Sequence, residues 1–233
     1  MLYNNPHIEF CLEGPSSIFK GLNQEDKEAI AQRHTVVSIK KGGILFKEGE
    51  KTRGLVCLIS GKVKIYKVGV GEREQILKMV KQQEFIGYRT LFSENRWSVS
   101  AKAIEESVIC ILDKRTLIKI LKKNADLSLK LTKLLSEELW YLYNRVTSLT
   151  QKHVRGRLVE SLFMLGDIYG FEEDGKTMQA TLSREDIAHL SNMTTSNAIR
   201  TLSFLASEGA IEFKGKKIKI LNRNNLKNIC DLG

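Results

Sequence analysis

The apolar positions change period along the chain, and each change marks an element. Between residues 35 and 113 they come in short runs, at 36–39, 44–47, 55–59, 63–68, 75–80, 99–103 and 108–112, separated by Gly42-Gly43, Gly49, Gly61 and Gly69 to Gly71. Short strands with glycine punctuation at this spacing predict a β-sandwich or jelly roll. Asn23 caps an expected helix running through residue 34, and helical pattern returns at 114–123. A long helix is then predicted from about 126 to 150. Within it Leu135, Leu139, Leu142, Val146 and Leu149 fall at alternating steps of four and three, the seam of a coiled coil. A long helix between compact domains has little of its own chain to cover that seam, so it reads as a homodimer interface. Burial of the same stripe against the β domain is the alternative, and Leu127, Leu131 and Leu134 offer a second apolar stripe.

The pattern after residue 153 is denser in short helices. Leu158, Leu162, Phe163, Leu165 and Ile168 form an amphipathic helix. Ser183, with Asp186 three residues on, starts another in the manner of a capping box, and Ile187, Ala188 and Leu190 give it an apolar face. Asn192 sits at a turn that favours the left-handed backbone, and Thr194 caps a second helix. Ala198, Ile199, Leu202 and Leu205 are expected to pack that helix inward, leaving Thr195, Ser196, Asn197 and Arg200 outward. Short hydroxyls, an amide and an arginine on the first turns of an exposed helix suit base edges and phosphates in a major groove. After Glu208-Gly209, residues 210–213 and 218–221 alternate like strands around a basic turn, Lys214-Gly215-Lys216-Lys217. A helix pair followed by such a hairpin predicts a winged helix whose lysines, with Arg184, lie near phosphates.

Composition changes this picture in one respect. The net charge of +10 invites a nucleic-acid reading, yet residues 1–153 hold 26 Lys and Arg against 17 Asp and Glu, while residues 154–233 hold 11 against 10. The surplus therefore supports solubility and steering and does not locate the site. The four cysteines, Cys11, Cys57, Cys110 and Cys230, are scattered, with no CxxC pair and no disulfide framework, and each reads as a small core or surface residue. No apolar run reaches membrane-spanning length and the start MLYNNPHIEF lacks a signal pattern, so a cytoplasmic location and no membrane partner are expected.

Taken in order, these features resemble the transcription regulators related to the cyclic-AMP receptor protein and the fumarate-nitrate regulator (Crp/Fnr). The motifs are Lys41-Gly42, Ile44-Leu45-Phe46, Glu48-Gly49, Ile59-Ser60-Gly61-Lys62-Val63, Phe85-Ile86-Gly87 and the segment around Arg157. The resemblance spans residues 17–226 and implies an α+β chain of three parts. These are a cyclic-nucleotide-binding-like β-roll over 1–124, a dimerisation helix over 125–153 and a winged helix-turn-helix over 154–233. It implies a homodimer on an inverted-repeat operator in double-stranded DNA, adds RNA polymerase to the expected partners, and puts the base-reading positions on Thr195, Ser196 and Arg200. An Arg-Glu pair common in the family is replaced by Thr195-Ser196, so the operator is expected to differ and Arg200 to make the main base contact.

The effector positions implied by the resemblance are Gly87, Tyr88, Arg89, Arg96, Leu142 and Tyr143. Tyr88 stands where a cyclic-nucleotide cassette carries an acid for the ribose. Asn95 stands at the phosphate-binding arginine, with Arg96 one residue out of register, and Leu142 and Tyr143 replace hydroxyl contacts to adenine. These departures argue against cyclic AMP. Arg96 or Arg89 is suited to another anion, and an empty or tyrosine-filled pocket is the competing reading. One cysteine near the N-terminus is too few for an iron–sulfur cluster. His7, His34 and Cys57 are the conceivable haem ligands, so the cofactor stays open. Two rivals from other classes are a nucleotide-binding module acting through protein partners and a cupin-type enzyme. The second needs histidines on the strands, and the expected strands hold none.

Overall fold

The computed structural model describes residues 5–93 and 96–231. They form two compact units, Met1–Ile65 with Val80–Trp140, and Tyr66–Met79 with Tyr141–Gly233. The chain begins with α1 (Pro6–Glu13) and α2 (Gln24–Ala31), followed by β1 (His34–Ile39), β2 (Ile44–Phe46), β3 (Gly54–Ser60), β4 (Val63–Val68), β5 (Glu74–Val80) and β6 (Phe85–Ile86). Then come α3 (Tyr88–Phe92), β7 (Ser100–Ala103), β8 (Ser107–Asp113), α4 (Lys114–Lys123) and α5 (Ala125–Gln151). The strands make two four-stranded sheets, ordered β1-β8-β3-β6 and β2-β7-β4-β5.

The sequence of β3 explains how the first unit is layered. Every residue from Gly54 to Ile59 is buried, without alternation. Val56 and Leu58 join Phe46, Val63, Ile86, Trp97 and Ile109 in one core, while Leu55, Cys57 and Ile59 join a second core with α1, α2, α4 and α5. A strand covered on both faces needs a continuous apolar run, and burying each such side chain contributes about 1.5–3 kcal/mol. Leu127 and Leu131 of α5 lie in the second core, so the second stripe on the long helix is the one that packs inward within this chain. The seam residues differ: Leu139, Leu142 and Val146 are exposed, and Leu135 and Leu149 are half-buried.

The second unit contains α6 (Val154–Tyr169), α7 (Arg184–Leu190), α8 (Thr195–Ser207), β9 (Ile211–Lys214), β10 (Lys217–Ile220) and α9 (Arg223–Asp231). Its caps form as the sequence implies. Ser183 Oγ accepts from Asp186 N at 2.9 Å and donates to Asp186 Oδ2, Thr194 Oγ1 accepts from Asn197 N, and Asn192 adopts φ 51°. β9 and β10 pair in register from Lys214↔Lys217 to Ile211↔Ile220, which leaves Gly215 and Lys216 as the turn.

Several expectations need correction. The helix capped by Asn23 ends at Ala31 rather than residue 34, because His34 already pairs with Leu112 as the first residue of β1. The strands therefore do hold one histidine, its Nδ1 lying 2.6 Å from Ala31 O. α1, α3, β6 and α9 were not expected; α1 buries Ile8, Cys11 and Leu12 at helical spacing, and α9 buries Leu226 and Cys230. Among the described residues no helix is long and apolar enough to cross a membrane.

Candidate nucleic-acid interface

Helix α8 separates its faces sharply. Ala198, Leu202 and Leu205 are fully buried, whereas Thr194, Ser196, Arg200 and Ser203 are exposed. Thr195 and Asn197 lie half-buried at the margin of that row. Ile199, expected to pack inward, is 48% exposed. At 100° per residue it lies well round from the Leu202–Leu205 face and falls beside the polar row. Asn197 does more than face outward. Its Oδ1 accepts from Arg200 Nη2 at 2.6 Å, holding the guanidinium one turn along the helix.

The predicted basic residues divide into two groups. Lys214 and Lys216 stand exposed at the tip of the β9–β10 hairpin. Lys217 instead hydrogen-bonds Glu172, and Lys219 lies 3.7 Å from Asp174. Asp174 closes that loop by accepting from Lys176 N, Thr177 N and Thr177 Oγ1. These hydrogen bonds, led by the one from Thr177 N, hold its carboxyl well below the usual carboxylate range. Arg184 lies over the Phe213 ring, 4.4 Å from its centroid, so it ties α7 to the hairpin, and burial lowers its guanidinium pKa.

Two further arginines fix the turn between α7 and α8. Arg157 donates from Nε to Ser191 O and from Nη2 to Asn192 O, both at 3.1 Å, and from Nη1 to Lys152 O. Arg145, 6% exposed on α5, donates to Leu190 O and lies 3.7 Å from Glu160. Burial lowers its pKa. Cations here meet the carbonyl end of a helix, where the dipole favours positive charge. Sequence reasoning picked out Arg157 by resemblance and missed Arg145; a lone arginine between the seam positions Leu142 and Val146 was the available signal.

The expected effector positions take different places. Gly87 adopts φ 101° immediately before α3, and a Cβ there would sit 2.7 Å from Cη2 of Trp97. Trp97 is nearly buried and stacks on Phe46, ring centroids 3.6 Å apart and 8° from parallel. The side chain covering Gly87 is thus a tryptophan that the sequence reading passed over. Tyr88 is buried in the helix-side core, and desolvation pushes its phenol up. Arg89 is exposed, and Arg96, also exposed, donates to Gly49 O at 2.6 Å. Leu142 and Tyr143 are exposed on α5. Asn95 lies outside the described residues.

Comparison with known proteins completes the assignment. Residues 36–124 match the model of the cyclic nucleotide-binding domain, and residues 156–229 that of the Crp-like helix-turn-helix domain. The chain belongs to the Crp/Fnr family of transcription regulators. It is 27% identical over 213 residues to a CRP-like cAMP-activated global transcriptional regulator of Mycobacterium tuberculosis, covering 91% of this chain and 95% of that one. It is also 27% identical over 195 residues to the fumarate and nitrate reduction regulatory protein of Escherichia coli, covering 82% and 77%. The solved structure of FixK2 from Bradyrhizobium japonicum shares the fold, with TM-score 0.75, 23% identity, and coverage of 84% and 96%. As a Crp/Fnr regulator the chain is a DNA-binding protein with a cyclic-nucleotide-binding-like sensing domain, and regulators of this family act as dimers.

Proposed function

We propose that this Crp/Fnr regulator binds an inverted-repeat operator as a homodimer through α5, reading bases chiefly with Arg200. The observation that carries this reading is the row Thr194, Ser196, Arg200 and Ser203, exposed on a capped helix whose opposite face is fully buried. Arginine placed bidentate on guanine is the strongest base contact such a row can make, and Ser196 and Thr195 supply shorter ones. Lys214 and Lys216 neutralise phosphates beside the groove, with Thr194 and Asn197 supporting the first turn of the helix and Arg184 bracing the wing. The exposed Leu139, Leu142 and Val146 support α5 as the dimer seam, flanked by the half-buried Leu135 and Leu149. A two-fold dimer sets its reading helices about one DNA turn, roughly 34 Å, apart. A cytoplasmic location, contact with RNA polymerase and the three-part division at residues 124 and 153 belong to the same proposal; the matched family models, 36–124 and 156–229, support the division.

Cyclic AMP is not the effector in this reading, because the carboxylate that would bind its ribose is Tyr88 and Trp97 covers Gly87. The test is selection of binding sites from random duplexes with the purified full chain. Enrichment of an inverted repeat with half-site centres about 10 base pairs apart is expected. Failure to enrich any sequence, at a salt concentration where non-specific duplex still binds, overturns the proposal.

A further inference from the structure

Covering Gly87 with Trp97 leaves space on another side of the same aromatic pair. A cavity of about 330 Å³ lies in the first unit, walled by Val37 and Ile39 of β1, Ile44 to Phe46 of β2, Val56 of β3, Ile109 and Ile111 of β8, and Trp97. Its volume falls within the range of small-molecule sites, and the side chains that β1, β2, β3 and β8 turn toward it are apolar. Its polar side chains are Glu50, Lys51 and Arg53, grouped in one short segment. Glu50 accepts a hydrogen bond from Lys47 N at 3.1 Å. Lys51 and Arg53 are exposed, and neither has a side-chain partner among the described residues. Lys51 bridges antiparallel to Arg96, adding a third cation next to this segment.

Trp97 is itself nearly buried, and its ring stacks on Phe46 at one wall of the cavity. Apolar walls beside a cationic segment describe an apolar body carrying one acceptor anion.

We propose that the roll binds a small hydrophobic carboxylate, an aromatic acid or a short acyl acid, in this cavity. The apolar body lies against Phe46, Val56 and Ile109, and the carboxylate accepts hydrogen bonds from Lys51 and Arg53. The neighbouring Trp97 reports occupancy. The inference rests on the reading of this roll as a sensing domain, and it names the chemical class sensed.

Tryptophan fluorescence tests it, in full-length protein carrying W140F so that Trp97 is the only tryptophan. Titration with benzoate and with octanoate is compared with benzamide and octanamide, and calorimetry on the wild type is run alongside. The expected result is a saturable change with the acid of at least one pair, little with its amide, and binding weakened about tenfold or more in K51M/R53M. No saturable binding of either acid by both methods overturns the proposal. So does an amide that binds as well as its acid, or an affinity unchanged in K51M/R53M. Both substituted cations are exposed, so loss of fold does not confuse the outcome. The duplex selection described above is run on the same preparation. Operator enrichment without acid binding refutes the ligand class alone, and acid binding without enrichment refutes the DNA reading alone.

Discussion

Arg200 and Asn197 form a pair whose roles a double-mutant cycle can separate. Arg200→Ala removes the only guanidinium on α8. A bidentate contact to guanine discriminates by about 1–3 kcal/mol, and a two-fold dimer makes two, so specific binding should weaken by about 2–6 kcal/mol. Asn197→Ala leaves the guanidinium but removes the Oδ1 that holds it at 2.6 Å. A freed arginine must then be ordered on binding, at about 0.5–1.5 kcal/mol for each subunit, giving a loss of about 1–3 kcal/mol per dimer. With Arg200 already absent there is nothing left to hold, so the double variant should bind like Arg200→Ala. Fluorescence anisotropy on a selected duplex and on a scrambled one, at a single salt concentration, reads all four proteins. Additive losses would show that Asn197 makes a base contact of its own. Equal losses on the scrambled duplex would put Arg200 on a phosphate and refute the assignment.

Three shorter predictions follow from the same geometry. Lys216→Ala should weaken binding to every duplex and flatten the salt dependence by about one phosphate contact per subunit, whereas Lys217→Ala, whose ammonium pairs with Glu172, should change the slope less. Val146→Glu places a carboxylate on the exposed seam of each α5; sedimentation should show monomer at concentrations where the wild type is dimeric, and an unchanged dimer would move the interface elsewhere. The folded-state pKa of Asp174 is depressed, so its stabilising contribution is present above its unfolded value of about 3.9 and is lost as pH falls through the folded pKa. Melting temperature should therefore fall less steeply below pH 4 in Asp174→Asn than in the wild type, and parallel pH profiles would contradict the role given to the loop.

What could be read from the sequence was what neighbouring residues decide. The caps at Asn23, Ser183 and Thr194 and the left-handed turn at Asn192 depend on groups within a few positions, and all four form. The four-three spacing from Leu135 to Leu149 likewise depends only on the helix repeat. Contacts across the chain were not legible. Cys11, Cys57 and Cys110 looked scattered, but Cys57 and Cys110 are directly opposed on β3 and β8, and Cys11 of α1 joins them in the core. Hydrogen bonds from Cys110 and Cys57, reinforced by burial, push the Cys11 thiol up. Trp97 was overlooked for the same reason, since its stacking partner Phe46 lies far off in sequence. Ile199 failed differently: a period-based reading admitted it to the buried stripe, and the neighbouring Ala198 and Leu202 fill that face without it.

The hydrogen bonds of the second unit limit how a signal could reach α8, the helix proposed to read bases. Arg145 and Arg157 hold three consecutive carbonyls, Leu190, Ser191 and Asn192, at the end of α7 and in the turn before α8. Arg145 comes from α5 and is almost wholly buried, so parting it from these acceptors and from Glu160 would strand a buried charge, at a cost of about 3–5 kcal/mol. That exceeds the coupling energies of about 1–3 kcal/mol typical of allosteric ligands. A signal carried along α5 past Tyr141 would therefore move α7 and the start of α8 together with α5 instead of loosening them. Strand β5 is fastened to the same body, through Gln75 Nε2 to His189 O at 2.8 Å and Tyr141 Oη to Leu77 O at 3.2 Å. On the reading proposed above, regulation would act on the placement of an intact α8, and it would require a ligand whose affinity differs between the two placements.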